Sequence, residues 1–127
     1  AAVYPLDRVA GYTRNYLAAG GAASLADYYT AAYDGVRFHE RLRSRVTFAD
    51  HSLATDAVFA EVQLVSCRNV LIYFDRTLQD RAVGLFHDAL VPRGFLGIGA
   101  RESLHGFRNA PAFEAVSREA RVYRRIA

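Results

Sequence analysis

EVQLVSCRNVLIYFD, residues 61–75, is the stretch from which the rest of the chain can be read. Its first half, EVQLVSC, is β-like, and it runs straight into the polar pair Arg68 and Asn69. Five bulky apolar or aromatic residues, Val70 to Phe74, follow at once. A buried polar group without a partner costs roughly 1–3 kcal/mol, so the pair either satisfies local backbone or sits where something binds. Asp75 is suited to cap a helix, because its carboxylate accepts from free backbone N–H groups and favours the positive end of the helix dipole. Ala82, Leu85, Phe86, Ala89 and Leu90 then recur at helical spacing, predicting an amphipathic helix over 76–91. PRG at 92–94 stops it, and FLGIGA at 95–100 reads as a strand with glycine on one face. Strand, helix, turn and strand in that order predict a βαβ unit in a parallel sheet. Ligands bind beyond the carboxyl ends of strands in such sheets, which puts Arg68 and Asn69 at the mouth of a crevice. An asparagine amide both donates and accepts, suiting a nucleobase or an amino-acid head group. The arginine fork suits a carboxylate. The alternative is that the pair caps the strand end and binds nothing.

Outward from this centre the pattern is weaker. Residues 5–18 read as a helix with Leu6, Val9, Tyr12, Tyr16 and Leu17 roughly on one face, broken by AAGGAAS at 18–24. LADYYTAAYDGVRF (25–38) is ambiguous, although the Asp-Gly at 34–35 is a turn signal and VRF fits a short strand. HERLRSR (39–45) suggests a helical turn, VTF (46–48) a strand, and ADHSLATD the loop that leaves it. AFEAVSRE (112–119) fits either helix or strand, and RVYRRI (121–126) a terminal strand.

Composition bounds the class. The 127 residues, 52% of them apolar, are enough for one domain with a real core, and 23% charge argues against global disorder. A formal net charge of +3 does not by itself indicate nucleic acid. Arg41, Arg43, Arg45, Arg121, Arg124 and Arg125 are interleaved with apolar residues, with acidic residues nearby at Glu40, Asp50 and Glu119, and read as solvated faces. No nucleic-acid partner is expected. His39, His51, His87 and His105 show no ligand spacing, so no metal site is expected either. The single cysteine, Cys67, reads as a small buried hydrophobe and fits a reducing compartment. No run approaches the roughly 20 apolar residues of a membrane span and no signal-peptide pattern opens the chain, so the expectation is a soluble cytoplasmic domain. The absence of methionine and the opening AAVYPLDRV suggest a segment of a longer protein.

CRNVLIYFD resembles the signature of the chemotaxis protein-glutamate O-methyltransferases, the CheR family. Further pieces match in order: YPLDRV, VTFADHSL against a strand and His-Asn-Leu turn, VPRGFLGIGARESL against L-x-P-x-G-x-L-x-x-G-x-x-E, and RVYRR against the closing strand. The resemblance implies an α/β fold, the C-terminal half of a Rossmann-like class I methyltransferase sheet, with residues 1–127 as the C-terminal part of the catalytic domain. It implies S-adenosylmethionine as cofactor and a chemoreceptor or receptor-like signalling protein as the partner whose glutamates are esterified. Arg68 and Asn69 match the pair that touches the cofactor, Ser52 and Leu53 fall where an Asn-Leu contact lies, and Tyr73 matches a tyrosine near the transferred methyl. Residues 25–48 fall where the family inserts a small antiparallel subdomain that docks receptor tails by strand addition; the alternative is an edge hairpin that merely covers the sheet. The family's glycine-rich loop G-x-S-x-G-E-E-P-Y is absent, as are the acidic strand end after it and the amino-terminal helical domain. Ser52 replaces asparagine, and GARE (99–102) stands where chemotaxis members carry G-H-S-E. The other reading is therefore a catalytically incomplete binding or regulatory fragment.

Overall fold

Asp75 caps its helix as its chemistry dictates, its carboxylate accepting from the Leu78 N–H at 2.8 Å. Helix Arg76–Ala89 and the strands around it belong to one of two units in the computed structural model, which describes residues 3–58 and 60–127. The units divide between Ala49 and Asp50.

In the first unit, strands β1 (Val3–Pro5), β2 (Tyr29–Ala32) and β3 (Gly35–Phe38) form an antiparallel sheet in the order β1-β3-β2. Helix α1 (Val9–Ala18) follows a 3-10 turn, and a short helix α2 (Glu40–Arg43) follows β3. Period-two alternation puts Tyr4, Val36 and Phe38 on one face, where Val36 is buried. Tyr4 meets the rings of Tyr12 on α1 and Phe38 edge-on, at centroid distances of 6.2 and 5.7 Å. The ambiguous stretch 25–38 is thus mostly hairpin. Its turn lies one residue earlier than Asp-Gly suggests: Ala32 pairs with Gly35, and Tyr33 takes a left-handed φ of 55°. The strand expected at 46–48 does not form. Val46 and Phe48 are exposed and lack the ladder partner that a strand needs among the described residues.

The second unit holds β4 (Val62–Cys67), α3 (Arg76–Ala89), β5 (Leu90–Ile98), β6 (Phe113–Ser117) and β7 (Val122–Arg125). Spatial order is β4-β5-β7-β6, with β4 and β5 parallel and β7 antiparallel to both of its neighbours. The predicted βαβ unit is present. Its helix, however, ends at Ala89 rather than 91, and Leu90 is already paired with Val62. Pro92, Arg93 and Gly94 do not separate helix from strand. They bulge within β5, because the next pairing after Val62–Leu90 is Leu64–Phe95, and Arg93 sits at φ 67°. Arg125 of β7 donates to the carbonyls of His87 and Leu90, satisfying acceptors that the helix end leaves free.

Ala82, Val83, Leu85, Phe86 and Ala89 form the buried stripe of α3. Most of it packs with Leu90, Leu96, Ile98, Leu104, Phe107 and Phe113 into one core. Each large side chain so buried contributes roughly 1.5–3 kcal/mol. The segment 112–119 resolves as strand because Phe113 faces this core while Glu114 pairs outward with Arg124. The opposite face of the sheet is open: Leu64 is 62% exposed.

Candidate functional site

Parallel pairing brings two carboxyl ends together. Cys67 and Ile98 are Cα partners, so the loops leaving β4 and β5 start side by side. Arg68 and Asn69 lie at this end and both are exposed, as the reading of a crevice mouth requires. Asn69 turns the chain through a left-handed conformation, φ 61°, which asparagine tolerates better than other side-chain-bearing residues. A 3-10 turn, Leu71–Tyr73, follows.

The apolar run 70–74 is not a uniform core segment. Leu71 is buried and Phe74 packs partly against the core, while Ile72 and Tyr73 project to solvent, Tyr73 with 81% of its surface exposed. Backbone geometry decides this. The extended strand has ended, and a 3-10 turn directs only every third residue inward.

One buried carboxylate holds the two loops together. Glu102, 4% exposed, accepts the N–H of Asn69 at 2.9 Å and of Gly99 at 2.6 Å on Oε1, and the N–H of Ile72 at 3.1 Å on Oε2. Three donors offset the desolvation that would otherwise make such a burial prohibitive. Gly99 is required by the same crowding: a Cβ there would lie 2.7 Å from Glu102 Oε1 and 2.9 Å from the Asn69 nitrogen, besides meeting Asn69 Oδ1. The resemblance implies Glu102 as a retained position but does not assign it this role. The available signal was the G-x-x-E spacing directly after a strand whose neighbour ends in a polar pair.

Cys67 sits beneath the loop. Burial, with Glu102 adding to it, pushes its thiol up to about 11, so the group stays protonated and inert, as its reading as a hydrophobe implies. Ser52 and Leu53 lie on a separate loop of the same unit. There Asp56 accepts the Ser52 N–H at 2.9 Å and meets His51 Nδ1 at 3.1 Å. The Ser52 N–H first, and His51 second, hold Asp56 below its ordinary value of 3.8. Leu53 packs partly against the core. The structure thus gathers Arg68, Asn69 and Tyr73 in one segment and sets Ser52 and Leu53 on another. Among the described residues, no cluster of His, Cys, Asp and Glu could hold a metal ion, and no helix is long and apolar enough to cross a membrane.

Comparison with known proteins bears on this geometry. Residues 8–122 match the family described as the CheR methyltransferase, SAM binding domain. Across 123 residues, 97% of the chain and 45% of the relative, identity is 51% to a provisionally named methyltransferase, Cher3, of Pseudomonas putida. The chemotaxis protein methyltransferase Cher2 of the same organism is 39% identical over 66 residues, 51% of the chain and 24% of its own length. A chemotaxis protein methyltransferase of Vibrio anguillarum is 31% identical over 81 residues, 62% of the chain and 30% of its own length. The chain therefore spans less than half the length of each of these relatives.

Proposed function

Because the chain belongs to the CheR methyltransferase family, we propose that it forms the C-terminal part of a catalytic domain that transfers a methyl group from S-adenosylmethionine to glutamate side chains of a chemoreceptor-like protein. The observation that carries this reading is the rim of the parallel pair, where Arg68 and Asn69 are exposed and the loop is locked from below by Glu102. The strand order β4-β5-β7-β6, with one antiparallel member, supports a Rossmann-like class I sheet whose remaining strands would add beyond β4.

The residues present fit the cofactor. Arg68 has no carboxylate within ion-pair distance among the described residues, and Asn69 offers an amide with both hydrogen-bonding senses. Those two side chains would hold the cofactor, with Ser52 and Leu53 supplying a further contact from their loop. When bound, the cofactor would supply an electrophilic methyl carbon to a glutamate oxygen, its sulfur keeping the electron pair of the carbon–sulfur bond. A glutamate with a pKa near 4.3 is already ionised at neutral pH, so no protein group has to remove a proton. Tyr73 would line up the carboxylate or the methyl, and alignment with desolvation provides the acceleration. Within the first unit and among the described residues, β2 pairs only with β3 and leaves its outer edge open, which supports the reading of 25–48 as a docking subdomain that adds a strand from a partner.

The test uses the full-length protein with tritiated S-adenosylmethionine and a glutamate-bearing receptor peptide. Tyr73→Phe is expected to lower kcat, and Asn69→Gly, which suits the left-handed backbone, to weaken cofactor binding by calorimetry. Both variants behaving as wild type would overturn the assignment.

A further inference from the structure

A cleft of about 420 Å³ is lined among others by Ile72, the residue before Tyr73, and by Arg76, Arg101, Ser103, His105 and Phe107. One of its cations is held in place. The Arg76 guanidinium lies over the Phe107 ring, 4.1 Å from its centroid, and donates to the His105 carbonyl at 3.2 Å. Phe107 is itself buried, so the platform is fixed. Gly106, at φ 78°, makes room for it: a Cβ there would stand 2.6 Å from Arg76 Nη2. Among the described residues neither Arg76 nor Arg101 has a carboxylate within ion-pair distance. The carboxylate in the lining, Glu102, is buried and already accepts three backbone N–H groups.

Resting on the glutamate-methylating reading above, we propose that this cleft binds an acidic segment of the protein substrate, with Arg76 and Arg101 pairing to carboxylates that flank the glutamate to be esterified. Ile72, half exposed, gives the cleft an aliphatic floor beside the charges, which suits a polypeptide better than a phosphodiester backbone. Ile72 also precedes Tyr73 in the same turn. An acid one helical turn from the target glutamate, about 5–6 Å away in a substrate helix, reaches the cleft when the target approaches Tyr73. The pinned guanidinium loses little freedom on pairing.

The experiment measures binding and turnover separately on the full-length protein. Fluorescence anisotropy follows a short labelled peptide with one glutamate between aspartates, and a twin with asparagines in their place. Wild type is expected to bind the acidic peptide about fivefold more tightly at low salt. Arg101→Glu, a change at an exposed residue, should abolish that preference, raise KM for the acidic peptide and leave kcat and cofactor affinity unchanged. Arg76→Gln should weaken binding in the same direction. Equal affinity for the two peptides, an unaltered preference in Arg101→Glu, or displacement of the peptide by random single-stranded DNA at lower concentration than by unlabelled peptide would overturn the inference. Charge-dependent peptide binding without methyl transfer would support the cleft and overturn the glutamate-methylating reading instead.

Discussion

Replacing Glu102 by glutamine probes the joint between the two strand-end loops. The carboxylate accepts from the backbone N–H groups of Asn69, Ile72 and Gly99; the Gly99 bond is buried and the other two are partly buried. Bonds to a charged acceptor contribute about 1.5–3 kcal/mol each, and bonds between neutral groups about 0.5–1.5. Glutamine keeps one oxygen, able to serve Asn69 and Gly99 as Oε1 does. Its amide nitrogen then faces the Ile72 N–H, donor against donor. One charged bond is lost and two become neutral, a loss of about 3.5–6 kcal/mol and a large part of the roughly 5–15 kcal/mol that stabilises a typical domain. Glu102→Ala, which leaves all three donors bare, should do worse. Urea unfolding of the full-length protein measures the global effect, and hydrogen exchange at the Asn69 and Ile72 amides measures the local one. A glutamine variant within about 1 kcal/mol of wild type, with unchanged protection at both amides, would refute the idea that this carboxylate holds the loop.

Gly99→Ala should destabilise by about 2 kcal/mol or more and weaken cofactor binding, because its Cβ would push on Glu102 and Asn69 together; chemical denaturation and calorimetry check it. Cys67, with its thiol pushed up to about 11, should resist iodoacetamide at pH 8 until the protein unfolds. Since its folded value lies above its ordinary 9.0, its contribution to stability is complete below pH 9 and falls away as pH rises through 11, which denaturation at a series of alkaline pH values will show. Asp56, held below 3.8, works in the other direction: loop 51–56 keeps its full stabilisation above that value and loses it as acid titrates the folded carboxylate, readable from NMR shifts of Ser52. Tyr33→Asn, at a fully exposed left-handed position, should stabilise the first unit by about 0.5–1 kcal/mol in thermal melts.

The helix after Asp75 was legible because its cap and its apolar spacing are local features, and all the predicted core positions on it are buried. Legible for the same reason were the parallel pair and the place of Arg68 and Asn69, since a βαβ pattern implies where strand ends lie. The strand expected at 46–48 failed because strand propensity has no effect without a partner to complete the ladder, and no short window can show whether one arrives. The bulge at Pro92–Gly94 was missed for a related reason: β5 must meet β4 in register, and three residues are displaced to achieve it. Glu102 shows the limit most clearly. Its three hydrogen-bond partners include Asn69 and Ile72, 33 and 30 positions away in the chain. The cap and the apolar spacing, written in neighbouring residues, were therefore readable from the sequence alone, whereas the contact that shapes the site exists only once two distant loops have been folded side by side.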